Sequence, residues 1–295
     1  MIIIAFKIDT GRAMPLLSLP HLTMLEASPP EVVRAAAAAG FDAVCLRIFP
    51  TMAGEAQHPL IGDTPMMRET RGLLRDTGLH VLDIEAIWLK PDTQPANYVR
   101  GFEAAAQLGA KVIQSIGNDP DEERLTETYA GLCAAAAPFG LTVDLEYMRA
   151  ASTNSLEKAR RIVAKARPSN GGLLIDCLHI YRCGTRVEEL LEVEPELIHV
   201  IQLCDGDAKA PEGREALNYE ARFNRRLPGE GAFDLDAIWR AIPAHAHVSI
   251  EVPFGETRGK ITFAERARIL KASADGFLAS AGTPGQSRND SRIGA

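Results

Sequence analysis

The sequence predicts an α/β fold of one class, a single-domain (β/α)8 TIM barrel. Three observations predict it: short apolar runs alternate with longer amphipathic stretches, eight such pairs follow one another, and Gly or Pro stands just past most of the amphipathic stretches. Strict alternation of strand and helix implies parallel strands joined by right-handed crossovers. Eight units in a chain of 295 residues match a closed barrel of about 250 residues better than an open doubly wound sheet. The GxGxxG fingerprint of a dinucleotide crevice is absent.

The predicted strands are Leu16–Leu25, Ala43–Ile48, His80–Leu89, Lys111–Ile116, Leu141–Tyr147, Gly172–Cys177, Leu197–Cys204 and Val248–Val252. The first helix opens at Ser28-Pro29-Pro30-Glu31, where Ser caps, Pro is tolerated in the first turn and Glu lies at the positive helix end; Gly40 stops it after Ala35–Ala39. The same scheme places helices at Pro65–Arg75 before Gly78, Pro95–Leu108 before Gly109, Glu122–Ala137 before Gly140, and Ser155–Ala166 before Pro168. Shorter or weaker patterns at Val187–Leu191, Asp234–Ala241 and Phe263–Leu278 complete eight units. The stretch Asp205–Gly231, rich in Gly and charge, reads as a long loop over the barrel mouth.

These elements set the barrel at residues 15–280. Residues 1–14 read as an N-terminal extension without the marks of a signal peptide, with Met14 an alternative start, and the polar, small-residue tail 281–295 reads as disordered.

Composition narrows the function. Lys and Arg number 32 against 39 Asp and Glu, a net charge of −7, which disfavours a nucleic-acid partner bound through phosphates. Apolar residues at 46% and charged residues at 24% are those of a globular chain able to bury a core. Five scattered cysteines without a CxxC pair fit reduced thiols and a cytoplasmic location, and no apolar run is long enough for a membrane span.

Active sites of such barrels lie at the C-terminal ends of the strands. Polar residues recur there: Glu85, Gln114, Glu146, Asp176, Gln202 and Glu251, the first five spaced by about 30 residues, one βα unit each. An acid facing a barrel interior is costly unless a cation compensates it. Glu146, Asp176 and Glu251 with the amide oxygen of Gln202 form a hard-oxygen ligand set suited to Mn²⁺ or Mg²⁺. The alternative is that each acid pairs with a neighbouring Lys or Arg.

Among seven histidines, His179 stands three residues beyond Asp176, placed to hydrogen-bond a substrate hydroxyl or shuttle a proton; His21 is a second residue within reach of the mouth. Arg222, Arg225 and Arg226 in the long loop, and Arg47 at the end of the second strand, offer guanidinium groups to a substrate carboxylate, phosphate or oxyanion. Arg47, Glu85, Gln114, Arg225 and Arg226 are therefore the expected substrate-binding residues. Cys177 and Cys204 read as packing residues.

The segments ASPPEVVRAAAAAGFDAVCLRI, DLEYM, LLIDCLH, VIQLCDGD, RLPGEGAFDL and SIEVPF resemble the xylose isomerase-like TIM-barrel superfamily, often described as sugar phosphate isomerases and epimerases. The Asp176-x-x-His179 pair and the late PGEG are the most specific parts of the resemblance. It implies one bound divalent cation, held by Glu146, Asp176, Glu251 and the seventh-strand residue. That residue is Gln202 here, where sugar epimerases commonly have His; Gln at this place is similar to dehydratases of the 3-dehydroshikimate type.

The implied chemistry is removal of the proton α to a carbonyl through a metal-stabilised enediolate, with Glu146 and Glu251 as base and acid. Carbohydrate isomerisation or epimerisation is the first expectation, and lyase chemistry on a cyclic hydroxy-ketone is the second. The substrate expected is a small sugar or hydroxy-ketone, and the assembly a homodimer or homotetramer. The superfamily also holds apurinic-site nucleases with three zinc ions, but this chain lacks the many His ligands and the DNA-binding face they need. A barrel that only binds a ligand is a further alternative.

Overall fold

A computed structural model describes residues 15–51, 55, 57–253, 255 and 259–293; the N-terminal extension 1–14 lies outside the described residues. Eight strands close into a barrel in the order β1 to β8, every neighbouring pair parallel. They are β1 Leu17–Pro20, β2 Ala43–Arg47, β3 His80–Leu89, β4 Val112–Gly117, β5 Thr142–Glu146, β6 Gly171–Asp176, β7 Ile198–Leu203 and β8 His247–Ile250. All eight overlap predicted runs, with β4, β6 and β8 reaching one residue past the run at one end and the first run, Leu16–Leu25, cut to Leu17–Pro20 by the 3-10 turn His21–Met24.

The helices are α1 Pro29–Ala39, α2 Pro65–Thr77, α3 Val99–Gln107, α4 Glu122–Ala136, α5 Leu156–Ala166, α6 Cys177–Cys183, α7 Val187–Leu191, α8 Arg214–Phe223, α9 Leu235–Ala241, α10 Phe263–Ser280 and α11 Gln286–Ile293. Their ends follow the predicted chemistry. At α1 the Ser28 N–H donates to Glu31 Oε2 at 2.7 Å, and Gly40 adopts φ 80° to close the helix. Thr64, Asp121, Ser155 and Thr262 cap α2, α4, α5 and α10 through their side chains.

Strands of a barrel wrapped by helices are covered on both faces, which is why their sequences read as unbroken apolar runs. Ala43, Leu82, Val112 and Val200 form a small apolar cluster near the strand beginnings, and a larger cluster packs the outer strand faces against the helices. Towards the strand ends the buried residues become polar.

The structure corrects three expectations. The long loop Asp205–Gly231 contains α8, whose sequence REALNYEARF hides no apolar stripe because its buried residues are only Glu220 and Ala221. Arg182 on α6 grips Glu220 through Nε at 2.7 Å and Nη2 at 2.6 Å. The tail expected to be disordered carries α11, fastened by Arg288, whose Nη1 donates to the Val193 carbonyl at 2.9 Å and whose other guanidinium nitrogens reach Leu190 and Ala241. Finally, α6 begins directly at the end of β6, a helix the pattern did not announce because no turn separates it from the strand, Asp176 being both the last strand residue and the N-cap.

No helix among the described residues is long and apolar enough to cross a membrane.

Candidate active site

Four consecutive strand ends deliver the predicted acids and amide to one place. Glu146 ends β5, Asp176 ends β6 and is register partner to Gln202 on β7, and Glu251 follows β8. All four are buried. The Asp176 carboxylate also caps α6, accepting from the Leu178 N–H at 2.7 Å. One helical turn on, His179 returns to the same side, with Nε2 at 3.5 Å from Glu146 and 3.6 Å from Asp176.

Arg225 enters from beyond the end of α8. Its Nη1 lies 2.8 Å from Asp176 Oδ2 and its Nη2 lies 2.8 Å from Glu251 Oε2, so one buried guanidinium is shared by two acids. Its Nε donates to the Ala221 carbonyl at 2.8 Å, which fixes the fork in place. Gln202 Nε2 donates to Glu251 Oε1 at 2.8 Å and lies 3.4 Å from Gln114 Oε1, while Gln114 in turn donates to Asp83.

This crowding sets the protonation states. Burial, together with Asp176 and Glu251, pushes the Glu146 carboxyl well above the ordinary carboxylate range. Burial likewise pushes Glu251 up to about 8 against the pull of Arg225. Burial also works to raise Asp176, but Arg225 and His179 outweigh it and hold Asp176 below its usual value. The contrast between Asp176 and Glu251 arises because Asp176 also receives the Leu178 N–H, whereas Glu251 faces Asp176, Glu85 and Asp83. Burial lowers His179 to about 4, so its ring is neutral near pH 7.

The other predicted residues divide. Arg47 and Glu85, register partners on β2 and β3, form a buried ion pair, and Glu85 Oε1 accepts the Leu22 N–H at 2.9 Å. Arg226 is a correction. The Asp205 and Arg226 backbones exchange hydrogen bonds of 2.9 Å in an antiparallel bridge, so adjacent side chains point opposite ways: Arg225 inward, Arg226 outward to Asp207 at 2.7 Å. His21 is also held away from the reacting groups, with one ring nitrogen at 2.9 Å from the Ala27 carbonyl and the other accepting the Arg47 N–H at 3.2 Å.

Sequence reasoning missed Asp83, pushed up to about 7 by burial, and Glu55, which pairs with Arg47 and Arg222. The signal for Asp83 was its place two residues before Glu85 on one strand face. Glu55 lies eight residues from Arg47, but its second partner Arg222 is 167 residues away, a pairing that no local pattern announces. The PGEG segment acts as a brace: Asp205 Oδ2 accepts the Gly229 N–H at 3.1 Å, and its Oδ1 accepts the Phe233 N–H at 3.0 Å.

Three of the donors fit a divalent cation, and Glu251 stands apart from them, its two oxygens engaged by Arg225 and Gln202. Single ligand atoms of Glu146, Asp176 and His179 lie within 4.8 Å of one another. His179 Nε2 and Gln202 Oε1 are buried without a hydrogen-bond partner, an arrangement that leaves donor lone pairs available to an ion. Among the described residues no Arg or Lys forms an ion pair with Glu146. His179 adds a nitrogen to the predicted oxygen set, which widens the acceptable ions from Mn²⁺ and Mg²⁺ to Zn²⁺.

Comparison with known proteins agrees with this architecture. A 3-dehydroshikimate dehydratase of Pseudomonas aeruginosa is 26% identical over 246 residues, 77% of this chain. An inosose isomerase of Halalkalibacterium halodurans is 28% identical over 109 residues, 36% of this chain. The chain covers 36% of the length of each of these relatives. The crystal structure of the IolI protein with a bound zinc atom superposes with a TM-score of 0.74 at 20% identity, covering 91% of this chain and 99% of that one, and so shares the fold. The family profile described as xylose isomerase-like TIM barrel matches residues 33–281, and the chain belongs to that family.

Proposed function

We propose that the protein is a divalent-cation-dependent enzyme that removes the proton α to the carbonyl of a small sugar-like or hydroxy-ketone substrate, with isomerisation or epimerisation as the outcome. The observation that carries this reading is the convergence of Glu146 and Glu251, two carboxyls with raised pKa, on a guanidinium, a neutral imidazole and an amide at the C-terminal mouth of the barrel. Glu146, Asp176, Gln202 and Glu251 would hold the cation, with His179 Nε2 as a further donor. A bound cation would supply polarisation of the substrate carbonyl and neutralise the charge that develops as the proton leaves.

The chain's own residues supply the rest. Without a cation, Glu146 and Glu251 both have raised pKa values; a bound cation would favour the ionised form of Glu146 that a base requires, while Glu251 keeps its proton as the acid. Glu146 takes the proton and Glu251 returns one. Neutral His179 would offer its Nε2 lone pair to the cation, and Arg225 holds Asp176 and Glu251 in orientation. Reprotonation from the opposite side gives epimerisation, and reprotonation at the former carbonyl carbon gives isomerisation.

Dehydration, by loss of a β-hydroxyl, is the second reading. It is favoured by Gln202 at the seventh-strand position and by the dehydratase relative that aligns with 77% of this chain, against 36% for the isomerase.

Solvent-deuterium incorporation across a panel of ketoses and cyclic hydroxy-ketones, with Mn²⁺ supplied, tests the proposal. Label should enter recovered substrate or product at the α carbon, and Glu146→Gln should abolish the exchange while circular dichroism stays native. Exchange at the wild-type rate in Glu146→Gln removes the base assignment. Label in an isomer or epimer marks the first outcome, and an unsaturated product marks the second.

A further inference from the structure

A second polar cluster adjoins the acid site. The carboxylate of Glu55 is held from three separate segments. Arg47, at the end of β2, places Nη1 at 3.0 Å from Glu55 Oε2. Arg222, in the last turn of α8, reaches Glu55 Oε1 through Nη2. The Thr51 N–H donates to Oε2 at 2.7 Å, and the Thr51 hydroxyl lies 3.0 Å and 2.9 Å from the two oxygens. The carboxylate thus meets two guanidinium groups, a backbone N–H and a hydroxyl, the donor set of an anion-binding site.

Arg47 is buried, and Glu55 and Arg222 keep side-chain exposures of 13% and 20%, so the cluster is open enough for an anion to arrive from solvent. Thr51 also lines a cavity of about 280 Å³ walled by Phe49, Trp88 and Tyr98, at the C-terminal end of β3. Arg222 precedes Arg225 by three residues, and Arg225 touches Asp176 and Glu251. The cluster, on the β2 side of the mouth, is therefore joined to the acid site through the C-terminal end of α8.

We propose that Arg47, Arg222 and Thr51 form a subsite for the anionic group of the substrate, and that Glu55 occupies it from within the chain when no substrate is present. The ligand class is a small polyhydroxylated ketone carrying a carboxylate or a phosphate. Both groups present the planar or tripodal oxygens that paired guanidinium forks recognise. An internal carboxylate in such a subsite lowers apparent affinity, because an incoming anion binds only the fraction of molecules in which Glu55 has moved away. The inference rests on the reading of the mouth as a substrate site; its test reads binding without turnover, so either can fail alone.

Isothermal titration of the full chain with three non-enolisable probes tests it: quinate, a cyclic polyhydroxy carboxylate; myo-inositol, a polyhydroxy ring without charge; and inorganic phosphate. Quinate should bind more tightly than inositol. Glu55→Ala should tighten quinate binding about tenfold by removing the internal competitor, and Arg222→Gln should weaken it about tenfold or more, the loss of a charge-assisted hydrogen bond. Phosphate bound more tightly than quinate by Glu55→Ala would keep the subsite and assign it to a phosphate ester. Should Glu55→Ala fail to fold, Glu55→Gln keeps the shape without the charge and carries the same expectation. Quinate binding that weakens or stays unchanged on removal of the Glu55 charge would make Glu55 a structural strap and overturn the proposal, as would inositol binding equal to quinate.

Discussion

Replacing Arg225 by methionine removes the one guanidinium that Asp176 and Glu251 share, each at 2.8 Å. Methionine preserves much of the arginine stem, so the loss is chiefly of charge. Removing one partner of a buried pair costs about 3–5 kcal/mol, because the charge left behind is uncompensated. Here Asp176 is left behind as the buried charge, while Glu251, raised to about 8, is largely protonated at pH 7.5, so the full range applies. At about 2–4 °C per kcal/mol, the chelator-treated variant should melt about 6–20 °C below the wild type at pH 7.5.

The deficit should depend on pH with a definite sign. Glu251 sits at about 8 in the folded protein against an ordinary value of 4.5, so between those values the folded state binds more protons and stability falls as pH rises. Asp176 is held below its usual value, a contribution present at neutral pH and lost as pH falls through the depressed value. Without Arg225 the first effect steepens and the second disappears. The gap between variant and wild type should therefore be wide at pH 7.5 and narrow at pH 5, and added Mn²⁺ should narrow it at pH 7.5. Thermal unfolding followed by circular dichroism measures all three. An unchanged melting temperature at pH 7.5, or an equal deficit at both pH values, would refute the placement of the guanidinium between the acids.

Three other perturbations probe different layers of the same argument. Gln202→His exchanges one neutral ligand for another, so the Mn²⁺ affinity measured by titration calorimetry should stay within about tenfold of wild type; loss of binding would show that Gln202 does not act as a ligand. Glu220→Ala strands Arg182 and frees α8, with an expected cost of about 3–5 kcal/mol and faster tryptic cleavage in residues 208–226; an unchanged cleavage rate would mean that the Arg182–Glu220 pair does not fasten the helix. Gly172→Ala places a Cβ 2.5 Å from both Asp144 Oδ1 and the His199 ring, which are themselves paired at 2.8 Å. It should cost about 1–3 kcal/mol in denaturant unfolding, and a neutral effect would argue that the pair moves aside freely.

The barrel was legible because its determinants are local. His80–Leu89 coincides with β3 at both ends, since a strand covered on two faces is one continuous apolar run bounded by turn residues. The pairing of Asp176 with His179 was visible as a spacing of three, but its geometry depends on α6 starting at the strand end, with Asp176 as cap. Where the sequence was opaque, the cause was distance along the chain. Whether Arg225 or Arg226 faces the acids is decided by the bridge between Asp205 and Arg226, a relation among segments about twenty residues apart. The polar surface of α8 gave no apolar period to detect, because a buried ion pair to α6 holds that helix in place of an apolar stripe.

The mouth also explains why a loop-borne helix should be fastened by buried charge. Arg47 is shared by Glu85 and Glu55, and Arg225 by Asp176 and Glu251, so each inward guanidinium serves two acids. Glu146 forms no ion pair with a guanidinium among the described residues and has neutral His179 at 3.5 Å. Buried acids therefore exceed buried guanidinium groups, an imbalance that costs stability unless a proton or a cation offsets it. Such a cluster holds its geometry only if the groups that close it are themselves held rigidly. Arg222 lies in the last turn of α8 and Arg225 just beyond its end, and the Arg182–Glu220 pair anchors the same end of that helix. The acids whose mutual repulsion costs stability at the mouth are the proposed ligands and proton carriers of the reaction, so that cost and the proposed affinity for a cation have the same physical origin.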